Sequence, residues 1–299
     1  MLRQLHSLLG LVIAVLLVLL ATSGAIMSID PALERLGATV PAASQISVAT
    51  LAGRIARHYP EAEQIQRTPS GAIIVYYSRG GRAGADLIDP LTGQGIAPYA
   101  PSAFSRWMKD LHRSLFLDTT GRAVAGLTAL VMLVLAISGV ALLVKRLGGW
   151  RHIARPLRGT VIQRWHAEVG RFVVVGLLLS AITGIYMSAA TFSFIPDGIQ
   201  NEAGFPPKVA AGPARPTTAL PALRATDLND LRELVYPNPN DPSDVYSLAT
   251  TRGDGYVDQV NGALLSFRPH PGIRHTYELV YQLHTGEGLW LPGLSLGLC

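Results

Sequence analysis

Charge is scarce in this sequence, and its absence is uneven. Only 15% of the 299 residues are Asp, Glu, Lys or Arg, against about 25% in an average soluble domain. None of the four occurs between Arg3 and Asp30, between Arg122 and Lys145, or between Arg171 and Asp197. A helix needs roughly 20 apolar residues to cross a hydrocarbon core about 30 Å thick, and each of these intervals is long enough. An ordinary soluble enzyme is therefore excluded. Cysteine is nearly absent too. The single Cys299 excludes an internal disulfide, a Cys-rich zinc site, an iron–sulfur cluster and covalent haem attachment through C-x-x-C-H. There is also no nucleophile elbow, phosphate-binding glycine loop or zincin motif, so no nicotinamide or flavin site is expected within the chain.

What is present is apolar: 49% hydrophobic residues and a mean hydropathy of +0.30. Three spans are expected, from Leu8 to Ile29, from Ala123 to Val144, and from Phe172 to about Ile195. At 1.5 Å per residue, about 22 residues reach about 33 Å, enough to cross with a modest tilt. Small residues recur in all three as Ser23-Gly24, Ser138-Gly139 and Thr183-Gly184. They let helices, or a flat cofactor, approach the backbone. Residues 145–165 hold Lys145, Arg146, Arg151, Arg155, Arg158 and Arg164 without one acid. By the positive-inside rule this loop is cytoplasmic, and so is the N-terminus. The net charge of +5 is then a topology signal, and no nucleic-acid partner is expected. A cleavable signal peptide is disfavoured, because the apolar stretch from Leu8 to Ala25 exceeds the usual length of roughly 7–15 residues and only one base precedes it. The sequence ends in EGLWLPGLSLGLC, which reads as the opening of a fourth span in a chain truncated at that point.

An internal repeat organises the remainder. Leu5-His6-x-x-x-Gly10 precedes the first span and Trp165-His166-x-x-x-Gly170 the third. A Ser/Thr-Gly pair then follows at one and the same spacing, from His6 to Gly24 and from His166 to Gly184. Spans one and three run in the same direction, as in a parallel duplication. Each is followed by an extracytoplasmic segment expected to fold as a helix and a small antiparallel meander. In the first, Val48–His58 reads as the helix, followed by a strand at Ala72–Tyr77, a Gly80-Gly81 turn, a strand at Ala85–Asp89 and the turn DPLTG at 89–93. In the second, the helix is expected over Asp227–Tyr236 with Thr226 as N-cap. Strand Val245–Thr250, a Gly253-Asp254-Gly255 turn, strand Tyr256–Val260, the turn DQVNG at 258–262 and strand Ala263–Phe267 then follow. A proline-rich linker covers 196–221.

Both segments finish at a histidine, in Leu111-His112-Arg113-Ser114-Leu115 and in Leu283-His284-Thr285-Gly286-Glu287-Gly288. Four of the eight histidines thus stand at the start of a real or incipient span. A lone interfacial histidine is usually just a polar helix end, but four at one station point to a shared role. Topology sorts them into a cytoplasmic pair, His6 and His166, and an outer pair, His112 and His284. Two facing imidazoles can fill both axial positions of a haem iron, with the other ring nitrogen of each held by a neighbouring acceptor. Two pairs would place one haem near each face, and without C-x-x-C-H it would be non-covalent haem b. Zinc or copper also accepts imidazole, but two histidines without a thiolate or convergent carboxylate make a poor zinc site. Glu168 and Glu287 are near in sequence but read as interfacial. His58, His152, His270 and His275 read as structural.

These features together resemble the PepSY-associated transmembrane family: the Leu-His-x-x-x-Gly start, the Ser/Thr-Gly span ends, DPLTG, DQVNG and LHTGEG before an apolar run. The resemblance covers essentially the whole chain. It implies an α-helical integral membrane bundle, with three complete spans plus the start of a fourth, and two small α+β periplasmic PepSY-like domains, in a bacterial inner membrane. The corresponding boundaries are 1–29 for the first helix, 30–110 for the first PepSY-like domain, and 111–144 for an interfacial segment with the second helix. The basic loop takes 145–165, the third helix 166–195, the linker 196–221, the second domain 222–282, and the opening of the fourth helix 283–299. Some members resemble ferric-siderophore reductases with two b-type haems, and others are fused to flavodoxin-like and NADPH-binding reductase domains. The implied ligands are His6, His112, His166 and His284. The implied partners are membrane lipid, a cytoplasmic flavoprotein or fused reductase domain as donor, and a periplasmic ferric chelate as acceptor. The chain departs from the pattern in two places. The fourth helix lacks its body, which would leave the outer pocket open and reduce the haem count to one or none. His112 is followed at the fourth place by Phe116, where the other three histidines have a glycine. The alternative function is a non-redox PepSY protein that regulates a protease or assists assembly of another complex. A metal-transporter subunit is weaker, since no carboxylate lies within the spans.

Overall fold

A computed structural model describes residues 1–42, 44–100, 102–198, 204 and 209–287 of the chain. In chain order the first half comprises α1 (Leu2–Met27), α2 (Ile29–Gly37), α3 (Val48–Ile55), β1 (Ala62–Arg67), β2 (Ile73–Arg79), β3 (Arg82–Ile88), β4 (Gly95–Pro98), α4 (Ala103–Ser114) and α5 (Asp118–Leu147). The second half comprises α6 (Val161–Thr191), α7 (Pro221–Ala225), β5 (Leu231–Val235), β6 (Val245–Thr250), β7 (Gly253–Asp258), β8 (Leu264–Pro269) and α8 (Gly272–Thr285). The chain divides into two compact units. One holds Met1–Ala32, Ser102–Pro196 and the chain from Tyr277, and the other holds Leu33–Pro101 and Asp197–Thr276.

The first unit is helical. Among the described residues, three helical stretches are long and apolar enough to cross a membrane, starting at Leu2, Asp118 and Val161. Their burial is inverted relative to a soluble bundle. Large apolar side chains such as Leu11, Val12, Val15, Phe172 and Val175 are exposed, while Ser23, Thr128, Ser138, Gly176, Ala181 and Thr183 are buried. Lipid is as apolar as leucine, so helix association in a bilayer selects small and hydroxylated contacts instead. α5 packs on α6 and on α1, and α4 packs on both α1 and α5. The third span ends at Thr191, short of Ile195, because the chain turns at Ser193 with φ of +58°. The fourth-span opening expected over 283–299 falls mainly on 288–299, outside the described residues.

The second unit corrects the expectation of two separate domains. Its eight strands form one antiparallel sheet in the order β4-β3-β2-β1-β5-β6-β7-β8. The two meanders are joined by β1 and β5, with Ile65 opposite Leu234. β1 carries no recognisable sequence signal. β5 lies where a helix is expected at 227–236: Leu228–Asp230 forms one 3-10 turn capped by Asp227, and the chain then extends. Leu231 and Leu234 sit against β6 and β1, and pairing on both edges overrides a local helical pattern. The second-half helix is instead the short α7, begun by Pro221 at its first position. Gly253–Asp254–Gly255 is strand rather than turn, since the reversal occurs at Thr251–Arg252.

α3 packs against α7 and against a 3-10 turn at Thr217–Ala219, so the end of the expected linker is structural. Val48, Leu51 and Ile55 from α3 join Ile65, Ile73, Leu220, Leu223, Leu231, Leu234 and Leu248 in one core spanning both meanders. The other expected turns are present. Gly80 and Gly81 connect β2 to β3 as a two-residue hairpin, both at positive φ, the conformation such loops require. DPLTG and DQVNG fold alike: Gly93 N–H donates to Asp89 O at 2.8 Å and Gly262 N–H to Asp258 O at 2.9 Å.

Candidate functional site

The four histidines all lie in the helical unit, and the fold brings them together in two pairs. His6 on α1 and His166 on α6 have ring centroids 6.2 Å apart, with planes at 69°. His112 on α4 and His284 on α8 have centroids 6.1 Å apart, with planes at 47°. Their placement differs from a simple station at the start of each span. His6 and His166 sit inside the long helices near their beginnings, whereas His112 and His284 lie at the C-terminal ends of the shorter helices α4 and α8. Both shorter helices are followed by a residue at positive φ, Leu115 after α4 and Gly286 after α8.

That difference explains Phe116. Gly10 and Gly170 each lie one helical turn beyond a histidine within a continuous helix. At the same remove from His112 the chain is already in the corner between α4 and α5, where Leu115 and Phe116 adopt φ of +49° and +59°. The corner is closed by Leu117 N–H donating to Ser114 O at 2.7 Å and by Gly121, where a Cβ would fall 1.6 Å from that same carbonyl. Only glycine fits there, and the close approach holds α4 against α5.

Three of the rings are held by hydroxyls from the Ser/Thr-Gly pairs. His6 Nδ1 lies 2.8 Å from Ser138 Oγ, His112 Nδ1 3.0 Å from Ser23 Oγ, and His284 Nδ1 2.9 Å from Thr183 Oγ1. His112 Nδ1 also lies 2.9 Å from the carbonyl of Leu20. The adjoining glycines leave room for the rings. A Cβ at Gly139 would stand 3.3 Å from His6 Cε1, and one at Gly184 3.4 Å from His284 Cε1. From sequence these residues read as small positions that let helices or a flat cofactor approach the backbone, not as partners for the rings. The signal that could have identified them is their spacing, since Ser23 follows His6 on α1 by the same interval as Thr183 follows His166 on α6. At a rise of about 1.5 Å per residue that interval is about 25 Å, so the two pairs stand near opposite ends of α1 and α6. Interhelical side-chain bonds in a bilayer average only about 0.6 kcal/mol. Three of them therefore add little to stability, and their main effect is to fix orientation.

The donor set suits a two-ligand metal group. Two imidazoles that shared one metal through bonds of about 2.0 Å would have ring centroids roughly 6 Å apart. Both pairs match that separation. Among the described residues no group of three or more His, Cys, Asp or Glu converges to hold a metal. Two histidines alone fit a group that brings its own remaining ligands, as haem does with four ring nitrogens. Glu168 serves elsewhere: it pairs with Arg171, whose guanidinium donates to Ile153 O at 2.8 Å and Arg155 O at 3.2 Å, anchoring the basic segment to α6. In the sheet unit His270 Nε2 lies 3.0 Å from Asp254 Oδ2, with its ring 6.1 Å from that of His275.

The family model described as the PepSY-associated TM region matches residues 3–299. No curated protein matches the chain.

Proposed function

The chain belongs to the PepSY-associated transmembrane family, and from that membership and its paired histidines we propose that it conducts electrons across a bacterial inner membrane through two b-type haems, each held by two histidines. The observation that carries the proposal is the pairing itself: His6 with His166 and His112 with His284, each pair close enough to share one metal group. A haem held by either pair would supply one-electron exchange between ferric and ferrous iron.

The protein's own residues do the remainder. Ser138, Ser23 and Thr183 orient three of the rings. The apolar outer faces of the spans, Leu11, Val15, Phe172 and Val175 among them, seat the bundle in lipid. The acid-free segment 145–165, anchored through Arg171, faces the cytoplasm by the positive-inside rule and offers a cationic surface to a flavoprotein or fused reductase donor. By the same rule the sheet-forming segments belong to the periplasm, and His112 and His284 to the periplasmic ends of the spans. There the acceptor is ferric iron in a siderophore or other chelate, taking one electron per ion to the ferrous state.

The test is a reduced-minus-oxidised visible spectrum of the purified chain after haem-sufficient expression, for wild type and His166→Ala. The expected result is a b-type spectrum in wild type and loss of one component in the variant. A wild-type protein with no Soret band would overturn the reading in favour of a non-redox PepSY protein. Bound haem unaffected by His166→Ala would overturn the pairing.

A further inference from the structure

The three hydroxyls decide a question that distances between rings do not: which nitrogen of each histidine is free. Each hydroxyl has one proton to donate, and a carbonyl of its own helix lies within hydrogen-bond reach of each. Ser138 Oγ donates to Leu135 O at 3.1 Å. Ser23 Oγ donates to Leu19 O at 2.7 Å, with Leu20 O at 3.1 Å. Thr183 Oγ1 donates to Leu179 O at 2.7 Å, with Ser180 O at 3.2 Å. This back-bonding to a carbonyl of the preceding turn is the usual recourse of a hydroxyl inside a helix. A hydroxyl oxygen whose proton is so engaged accepts from the imidazole, which assigns the ring proton to Nδ1. His112 reaches the same assignment independently, because its Nδ1 also meets the Leu20 carbonyl, which cannot donate.

We propose that Ser138, Ser23 and Thr183 are positioning residues that lock His6, His112 and His284 in the Nδ1–H tautomer, leaving each Nε2 lone pair as the nitrogen available to a metal. The purpose of the lock rests on the haem reading above, but its existence does not. Donation from Nδ1–H to an acceptor raises the basicity of Nε2 and fixes the ring plane. The lock is unequally distributed. Among the described residues His166 has no hydroxyl partner, so the His6/His166 pair has one locked ring and the His112/His284 pair has two.

The proposal is tested on the full-length chain in lipid nanodiscs, labelled with 15N-histidine, before and after haem loading. Variants are Ser138→Ala, Ser23→Ala and Thr183→Val, with Ser138→Thr and Thr183→Ser as conservative controls. Thr183→Val keeps the branched shape and removes only the hydroxyl, so a failure to fold does not obscure the result. In the apoprotein, His6, His112 and His284 are expected to show protonated Nδ1. The hydroxyl-free variants release the matching ring into a tautomer mixture, and the conservative variants retain the lock. In the haem-loaded protein the same losses are expected to weaken haem retention roughly ten-fold and to raise the midpoint potential of the affected haem. Protonated Nε2 in the wild type, or ring signals unmoved by removal of the hydroxyl, would overturn the proposal. A wild type that takes up no haem would sink the electron-carrier reading, while the apoprotein signals still decide the tautomer lock.

Discussion

Ser23 and Thr183 stand at one station in the two halves of the chain, each at the same interval after a histidine of its own helix. Each receives a ring from a different helix, His112 in one case and His284 in the other. His6 and His166 also occupy equivalent places, yet only His6 is met by a hydroxyl among the described residues, Ser138 of α5. The turn aspartates differ as well. Asp258 accepts from three backbone N–H groups, whereas Asp89 accepts from Leu91 N–H and the Thr92 hydroxyl. The two halves therefore share the stations but not their support. Neither half holds a complete site, because every histidine pair takes one ring from each half.

The largest expected effect follows from that sharing. His6→Ala and His166→Ala should each remove one haem per chain, that of their own pair, by pyridine haemochrome stoichiometry. The His6/His166 double alanine variant should be no worse than either single, since both lesions empty one site. Combining His166→Ala with His112→Ala should remove both haems. A single substitution that empties both sites, or a His6/His166 double variant clearly worse than its singles, would break the view that the halves share each site pairwise.

Much of this pairing is legible in the sequence because topology alone separates His6 and His166 from His112 and His284. The spans are legible for the same reason: a charge-free apolar run long enough to cross the hydrocarbon core permits few other readings. The sheet is not. Ala62–Arg67 carries Glu63, Gln64, Gln66 and Arg67 around a single buried Ile65, so no alternating pattern marks β1 as the centre of an eight-stranded sheet. β5 reads as helix because the identity of a strand's partners, here β1 and β6, is set by tertiary pairing. The hydroxyls are in plain view, but serine or threonine beside glycine reads as a place of close approach for a helix or a flat cofactor until a ring is seen beside it.

A smaller effect separates two kinds of glycine. Gly139 and Gly184 clear the rings of His6 and His284, with a Cβ at 3.3 and 3.4 Å from the respective Cε1. Valine at either place adds two branches against the ring. It should weaken haem retention in its own pair by roughly ten-fold, comparable to losing a supporting contact. A Cβ added at Gly170, one turn beyond His166, would meet nothing within 4 Å. Gly170→Ala should leave both haems in place and stabilise α6 by up to about 1 kcal/mol, read as a higher melting temperature in detergent. Equal losses at Gly139 and Gly170 would show that general helix packing, not clearance for a ring, sets the requirement.

The smallest effect concerns the two turns and can be followed without haem. Burial raises the pKa of Asp258, but the backbone N–H groups of Ala210, Val260 and Asn261 outweigh it and hold the carboxyl below its usual range. A carboxyl depressed in the folded state stabilises that state above its unfolded pKa of about 3.9 and loses the contribution as pH falls toward the folded value. Backbone exchange at Ala210, Val260 and Asn261 should therefore accelerate as pH drops below about 4, after correction for intrinsic exchange rates. Asp258→Asn should abolish that acceleration and destabilise the sheet unit by about 1–3 kcal/mol, the cost of disturbing a buried multiply bonded acceptor. Asp89 is half-buried and takes one backbone N–H, so Asp89→Asn should cost only about 0.5–1.5 kcal/mol. If the two substitutions prove equal, the second half's turn gains nothing from reaching back to Ala210, and the asymmetry between the halves is confined to the histidines.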